Sequence, residues 1–278
     1  MTPELKKKLE KLALDIRIGT VECIKSRGFG HIGGSLSVAD ALAVLYGDVM
    51  RVDPTNPQLP ERDKLVCSKG HAGPAVYATL ALKGYFPYEV LKTLNQPGTN
   101  LPSHCDRKKT IGVDMTTGSL GQGSSLAVGM ALGDAMQSRD SRTFLIVGDG
   151  EINEGQIWEA AMFTAGKKIN NLVWLIDWNK KQLDGPTSAI LETYDLEAKF
   201  AAFGFDACTI DGHDVEQLHA ALTKPAGDKP IAIILDTVKG KGVPEVEQAA
   251  GNHSMNVGQD VFDRWLEGLY AEKAAMEG

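Results

Sequence analysis

An α/β fold, a parallel sheet with helices on both faces, is what this sequence predicts, and three observations predict it. Short apolar runs recur at Thr143–Val147, Leu172–Asp177 and Ile231–Thr237. They lack polar alternation, which marks strands buried on two sides. Stretches of helical periodicity separate them, giving the βαβ rhythm of crossover connections. Glycine-rich and polar turns follow the strands, and ligands of such sheets bind beyond the carboxyl ends of the strands. No repeat or linker interrupts the 278 residues, so one domain over 1–278 is expected.

The elements follow in order. Pro3–Ser26 reads as a charged amphipathic helix without the apolar centre of a signal peptide. "RGFGHIGGS" (Arg27–Ser35) breaks it, and "LSVADALAVLYGDV" reads as a second helix with Ser37 as its cap. "DKLVCSKGHAGPAVYATLALKG" reads as strand, turn and a helix from about Pro74. "TTGSLGQGSSLAVGMALGDAM" reads as a glycine loop running into a small-residue helix. After strand Thr143–Val147 come helix Gln156–Lys168, strand Leu172–Asp177, helix Leu196–Phe203, a strand near Phe205–Ile210, helix Val215–Leu222 and strand Ile231–Thr237.

Composition excludes several classes. A net charge of -7, without a basic run interleaved with aromatics, argues against nucleic acid. No apolar run approaches the ~20 residues that span a bilayer. Cys23, Cys67, Cys105 and Cys208 have no CxxC spacing, so reduced thiols in a cytoplasmic protein are expected.

The chemistry gathers where strands end. Asp149, in "GDG", and Asn179 stand at the ends of two strands joined through one helix, and a right-handed crossover sets such strands side by side. A carboxylate and an amide oxygen form an oxygen-only half-site that suits Mg²⁺, with the Lys181 carbonyl as a third ligand. Zinc lacks suitably spaced His or Cys. The bland alternative makes "GDG" a plain turn and Asn179 a cap. "TGSLGQG" offers backbone N–H groups at a helix start for an anion, or else small residues for close packing. His31, His71, His104 and His253 all lie in loops, where imidazoles bind hydroxyls and shuttle protons. His213 and His219 read as surface or capping residues.

"GDGEINEGQIWEAAMFTAGKKINNLVWLIDWNKKQLDG" resembles the thiamine diphosphate signature. With "GHIGGSLS", "SKGHAGPAVYA", "SHCD", "TGSLGQG" and "TVKGKG" in order, the chain resembles the N-terminal, diphosphate-binding half of transketolase from about Leu12 to Gly258. The resemblance implies the thiamine-diphosphate-binding fold of its PP domain. It implies Mg²⁺ (or Ca²⁺ or Mn²⁺) held by Asp149, Asn179 and the Lys181 carbonyl. Gly150 would offer its N–H to the diphosphate, His71, Gly118 and Leu120 would border the cofactor, and Leu183 would pack beside it. His31 and His104 would contact sugar hydroxyls, and Lys239 and His253 would stand at the entrance. Glu154 would serve at a subunit interface that couples paired sites. Ile32 and Ser119 replace prolines common in the family, which touches loop stiffness more than chemistry.

The family's pyrimidine-binding and C-terminal domains are not found before Gly278. The resemblance therefore implies a partner chain that carries the activating glutamate, in a heterotetramer acting on sugar phosphates of the pentose phosphate kind. An apolar patch at Ile157, Trp158 and Met162 would face that partner, unless these residues are core. Two rivals remain: the α-type subunit of a 2-oxo-acid dehydrogenase, and a non-catalytic scaffold subunit.

Overall fold

The computed structural model describes residues 1–225 and 227–277; Ala226 and Gly278, both within the expected 1–278 domain, lie outside the described residues. Five parallel strands form one sheet: β1 (Lys64–Cys67), β2 (Thr143–Gly148), β3 (Leu172–Trp178), β4 (Asp206–Asp211) and β5 (Ile231–Asp236), in the order β1-β2-β3-β5-β4. Around it lie α1 (Pro3–Lys25), α2 (Ala39–Val44), α3 (Gly73–Leu82), α4 (Gln122–Met136), α5 (Gly155–Gly166), α6 (Leu196–Phe203), α7 (Val215–Leu222) and α8 (Gln259–Glu277).

The strand order dictates the layers. Stepping from β1 through β2 and β3 to β4 moves in one direction, so right-handed crossovers put α4, α5 and α6 on one face. The return from β4 to β5 runs backwards and puts α7 on the other. Side-chain alternation along the strands serves both layers. Leu145, Val147, Trp174, Ile176 and Ile234 pack with the helices of the first face. Phe144, Ile146, Val173, Leu175, Ile233 and Leu235 pack with α1, α2, α3, α7 and α8 on the second. Both faces are apolar, which is why the strands read as continuous apolar runs.

Register positions the site. Gly148 pairs with Asp177, and Asp177 with Leu235, so β2, β3 and β5 finish at one level. The loops after them open on the same side. The predicted bounds of α6 and α7 coincide with those observed, and the other predicted elements differ by a residue or two, except the helix expected over 36–49, whose α-helical part is Ala39–Val44. Asp195 caps α6 and accepts from the Ala198 N–H at 2.9 Å, and Gly204, at φ +101, ends it.

Two expectations are corrected. Ser37 does not N-cap α2: its hydroxyl donates to Asp177 at 2.8 Å and lies 3.2 Å from the Gly34 carbonyl, in the break between Gly33–Leu36 and α2. The helix expected there is therefore split. His213 does not cap α7 either. Asp214 does, accepting from Glu216 and Gln217, while the His213 ring turns inward to Asp40 at 2.7 Å. Of the expected apolar patch on α5, Ile157 is buried, Trp158 packs against Phe200 and Phe203, and Met162 is 59% exposed. Among the described residues, no helix is long and apolar enough to cross a membrane.

Candidate active site

One cavity collects the loops beyond β1, β2, β3 and β5. Its walls include His71, His104, Asp149, Asn179, Lys239 and His253, together with the predicted Gly118, Leu120, Gly150, Lys181 and Leu183. His31 completes the imidazole group. Its ring centroid lies 5.6 Å from that of His71 and 5.2 Å from those of His104 and His253, and His71 and His253 approach to 4.6 Å. Four residues spread over more than two hundred positions thus form one cluster. Glu154 stands apart: it is exposed, between the Glu151–Asn153 turn and α5, outside the cavity wall.

Loop-to-loop hydrogen bonds hold the histidines there. The Gly33 N–H donates to the Asn252 carbonyl at 3.1 Å and the Gly240 N–H to the Gly33 carbonyl at 3.0 Å. The Asn252 amide donates to the carbonyls of Lys239 (3.1 Å) and Val246 (2.8 Å). A Cβ on Gly33 would lie 2.1 Å from the Asn252 oxygen, so only glycine lets these loops meet.

The electrostatics of the cluster have one sign. Burial, with His104 and Lys239 nearby, lowers His31 to about 4, and burial with Lys239 lowers His253 to about 3. Burial and Lys69 hold His71 well below the ordinary value, and burial lowers His104. All four imidazoles are neutral at pH 7, each with one donor and one acceptor nitrogen. Imidazole C–H resonances followed by NMR should therefore not titrate for His31 and His253 between pH 8 and 5. Because their folded values lie below the unfolded one, their contribution to stability is intact above about pH 6.5. It is lost as pH falls towards 4 and 3 for His31 and His253.

The acidic corner faces them. Asp149 is buried, and its carboxylate accepts from the Gly150 N–H at 2.8 Å and from the Lys180 N–H. Among the described residues no side-chain cation pairs with it. Burial and the neighbouring Asp177 push its carboxyl up to about 7. Asn179 lies beside it, and its amide N–H₂ donates to Asp177 at 2.7 Å, which turns Oδ1 the other way, where it accepts from the Lys181 N–H at 3.2 Å. The Lys181 carbonyl is met by the Lys239 ammonium at 3.1 Å, and burial with Lys69 lowers that ammonium to about 8. An under-compensated carboxylate and two oriented oxygens fit a hard divalent cation. The oxygen-rich set explains why no group of three His, Cys, Asp or Glu with metal-binding geometry occurs among the described residues.

Three residues that sequence reasoning passed over build this corner. Asp177 is fully buried and accepts from Lys69 (2.5 Å), Ser37 (2.8 Å), Asn179 (2.7 Å) and Thr237 (2.5 Å). Burial alone would raise its carboxyl, but Lys69 and the hydrogen bonds from Thr237 and Ser37 together outweigh burial and hold it low. Lys69 is itself 1% exposed. Glu151 is buried behind the turn, accepting from the Gly148 N–H at 3.0 Å, the Gly121 N–H at 2.9 Å and the Ser68 hydroxyl.

Glu151 also revises the reading of the glycine loop. The N–H of Gly121, at φ +83, is spent on Glu151, and that of Gln122 meets the Ser119 carbonyl at 3.3 Å. A Cβ on Gly123 would come within 2.4 Å of the Ser68 hydroxyl. The glycines thus serve close packing, and the amides at the start of α4 are turned to partners within the chain. Gly150 differs: a Cβ there would lie 2.7 Å from Gln182 Cβ, which keeps the "GDG" turn against the Lys181–Gln182 segment.

The comparisons with known proteins agree with this geometry. Residues 9–269 match the family model described as transketolase, thiamine diphosphate binding domain. The chain is 50% identical over 268 residues to the 6-deoxy-6-sulfo-D-fructose transketolase subunit of a Clostridium species, covering 96% of this chain and 98% of that protein. It is 39% identical over 235 residues to an apulose-4-phosphate transketolase subunit from Phocaeicola vulgatus, covering 84% and 83%. The transketolase structure from Leishmania mexicana superposes with a TM-score of 0.85 at 29% identity, over 97% of this chain and 46% of that one. The chain therefore spans somewhat under half the length of that solved transketolase. A sheet of this order, a cavity at its carboxyl edge and these relatives lead to one conclusion: the chain belongs to the transketolase family and is a transketolase subunit of the N-terminal, thiamine diphosphate-binding type.

Proposed function

We propose that this subunit supplies the metal and diphosphate grip, together with the sugar-facing histidines, for transfer of a two-carbon ketol unit from a ketose to an aldose. The observation that carries the reading is the neutral four-histidine cluster, of which His71, His104 and His253 line one cavity with Asp149, Asn179 and Lys181. Those three oxygens would hold Mg²⁺, or Ca²⁺ or Mn²⁺ in its place. Gly150 and the Lys239 ammonium would meet the diphosphate, with His71, Gly118, Leu120 and Leu183 beside the rest of the cofactor. Bound there, thiamine diphosphate supplies an electron sink for cleaving a carbon–carbon bond next to a carbonyl.

The chain's own residues do the remaining work. Neutral His31 and His104 each offer one N–H and one lone pair, matching a sugar hydroxyl that both donates and accepts. His71 and His253, being uncharged, can accept a proton from a hydroxyl and return it without holding a permanent charge. Leu183 and Leu120, both exposed at the cavity mouth, would shed water once covered.

In this reading the activating glutamate resides on a C-terminal partner chain with the pyrimidine-binding domain, in a cytoplasmic heterotetramer, with Glu154 at the contact between paired sites. The donor is a ketose whose far end carries an anion. The names of the 50% and 39% identical relatives mention a sulfonated and a phosphorylated sugar, so both anions belong in the assay. The test mixes the purified chain with its partner, Mg²⁺ and thiamine diphosphate, and follows ketol transfer from 6-phospho- and 6-sulfo-ketoses. Transfer should appear only in the mixture. Equal transfer by the chain alone, or CO₂ release from pyruvate without ketol transfer, would overturn the assignment.

A further inference from the structure

Lys239 reaches the cavity from the loop after β5, and nothing in a regular element fixes it there. What grips the loop lies behind it. The Val238 N–H, one residue before Lys239, donates to His213 Nε2 at 2.9 Å. The Lys241 carbonyl, two residues after it, accepts from Arg17 Nε at 3.1 Å. The two anchors are themselves joined. His213 Nδ1 lies 2.7 Å from Asp40 Oδ2, and the Arg17 guanidinium pairs with the same oxygen. Arg17 and Asp40 are 8% and 5% exposed, so their pairing is shielded from water, while the Val238–His213 bond lies nearer the surface.

The chemistry of the ring is determined by its partners. Nε2 receives a backbone N–H, so it must be the bare nitrogen, and the proton sits on Nδ1 pointing at Asp40. The imidazole thus works as a rigid spacer with a donor at one end and an acceptor at the other. Gly242, at φ +91, would bring a Cβ within 2.8 Å of Arg17 Cδ, so the loop lies directly on the Arg17 side chain. On the cavity side, the Lys239 ammonium meets the carbonyls of Lys181 (3.1 Å) and Gln182 (3.4 Å) and His253 Nδ1 (3.4 Å).

We propose that His213 is a positioning residue: with Asp40 and Arg17 it clamps both flanks of the Lys239 loop, and so aims the Lys239 ammonium at the Lys181 carbonyl and at His253. The geometry stands by itself, whereas its effect on cofactor and substrate rests on the transketolase reading. His213 touches neither reacting atom nor cavity, and its influence runs through the Val238 amide.

Two substitutions separate its two ends. His213→Gln keeps an acceptor near Nε2 and loses the donor to Asp40, whereas His213→Asn keeps the donor and loses the acceptor. Hydrogen exchange of the Val238 amide, read in the full chain, should speed up about tenfold or more in H213N and stay near the wild-type rate in H213Q. In the complex with the partner chain, H213N should weaken Mg²⁺-dependent thiamine diphosphate binding about tenfold, the low end for outer partners that aim a binding group. H213Q should restore it to within about threefold, although both variants lose one hydrogen bond. Unchanged Val238 exchange in H213N would overturn the clamp, and so would equal losses in both variants that follow their melting temperatures. Should H213N fail to fold, H213Q decides alone: rapid Val238 exchange in it overturns the proposal. If the wild-type complex binds no thiamine diphosphate, the functional reading fails, while the exchange comparison still decides the clamp.

Discussion

Replacing Lys69 with methionine is expected to destabilise the protein by about 3–5 kcal/mol, the range for removing one partner of a buried ion pair. Lys69 and Asp177 are the most secluded charges at the strand ends, 1% and 0% exposed in their side chains. Burying two ions is itself costly, and the arrangement persists because hydrogen bonds saturate it: Asp177 also takes protons from Ser37, Thr237 and Asn179. Methionine matches the volume of lysine and leaves the carboxylate without its cation, so the loss is electrostatic and not a cavity effect. Denaturant titration of wild type and K69M measures it. The double variant Lys69→Met with Asp177→Leu should recover part of the stability, since a charge-free core needs no partner. Recovery will be incomplete, because Ser37, Thr237 and the Asn179 amide lose their acceptor. A K69M protein as stable as wild type would show that Asp177 draws its compensation from elsewhere.

The same pair explains what was and was not legible in the sequence. Asp149 and Asn179 could be placed together because a strand, a helix and a strand separate them, and crossover handedness then fixes adjacency. The loop histidines were legible because each stands among glycine, serine or asparagine outside the apolar and periodic runs, in "GHIGG", "KGHAG", "PSHCD" and "GNHSM". Asp177 was hidden because it closes an apolar run and reads as the strand simply ending. A carboxylate inside "LIDW" is nonetheless a signal, since aspartate is almost never buried unpaired. Glu151 and Glu154 are alike in sequence, three positions apart. Only the one-turn helix Glu151–Asn153 decides that the first points inward to Gly148 and Gly121 while the second is exposed. The helix α8 went unread although Phe262, Trp265, Leu266 and Leu269 carry helical spacing, because dense charge between them masks the stripe. Ser37 misled because serine before an apolar run is a common cap, and a tertiary acceptor, Asp177, outbid the local backbone.

Substituting alanine for Asp149 should separate stability from cofactor retention, in opposite directions. In the protein by itself this carboxylate is a liability. Burial and Asp177 raise its affinity for a proton to about pH 7, so the folded state binds more protons than the unfolded one between about 4 and 7. Its cost therefore grows as pH rises through that window and is fully present above 7. At pH 8 the alanine variant loses that cost together with two backbone hydrogen bonds, from Gly150 and Lys180, worth about 1 kcal/mol each. The balance predicts an unliganded D149A as stable as wild type or up to about 2 kcal/mol more so. With Mg²⁺ and thiamine diphosphate the order should invert. The wild-type complex gains RT ln(1 + [L]/Kd), about 2.7 kcal/mol at a hundredfold excess over Kd, and D149A gains little. Melting curves of both proteins at pH 8, with and without metal and cofactor, give all four values in one experiment. Turnover in the assembled complex should fall at least about a hundredfold, in line with loss of a metal ligand whose supporting partners alone are worth 10–100-fold. A D149A complex that keeps both its ligand-induced shift and its turnover would remove the metal from this corner. A D149A chain that is several kcal/mol less stable without ligands would show instead that the carboxylate is a structural brace.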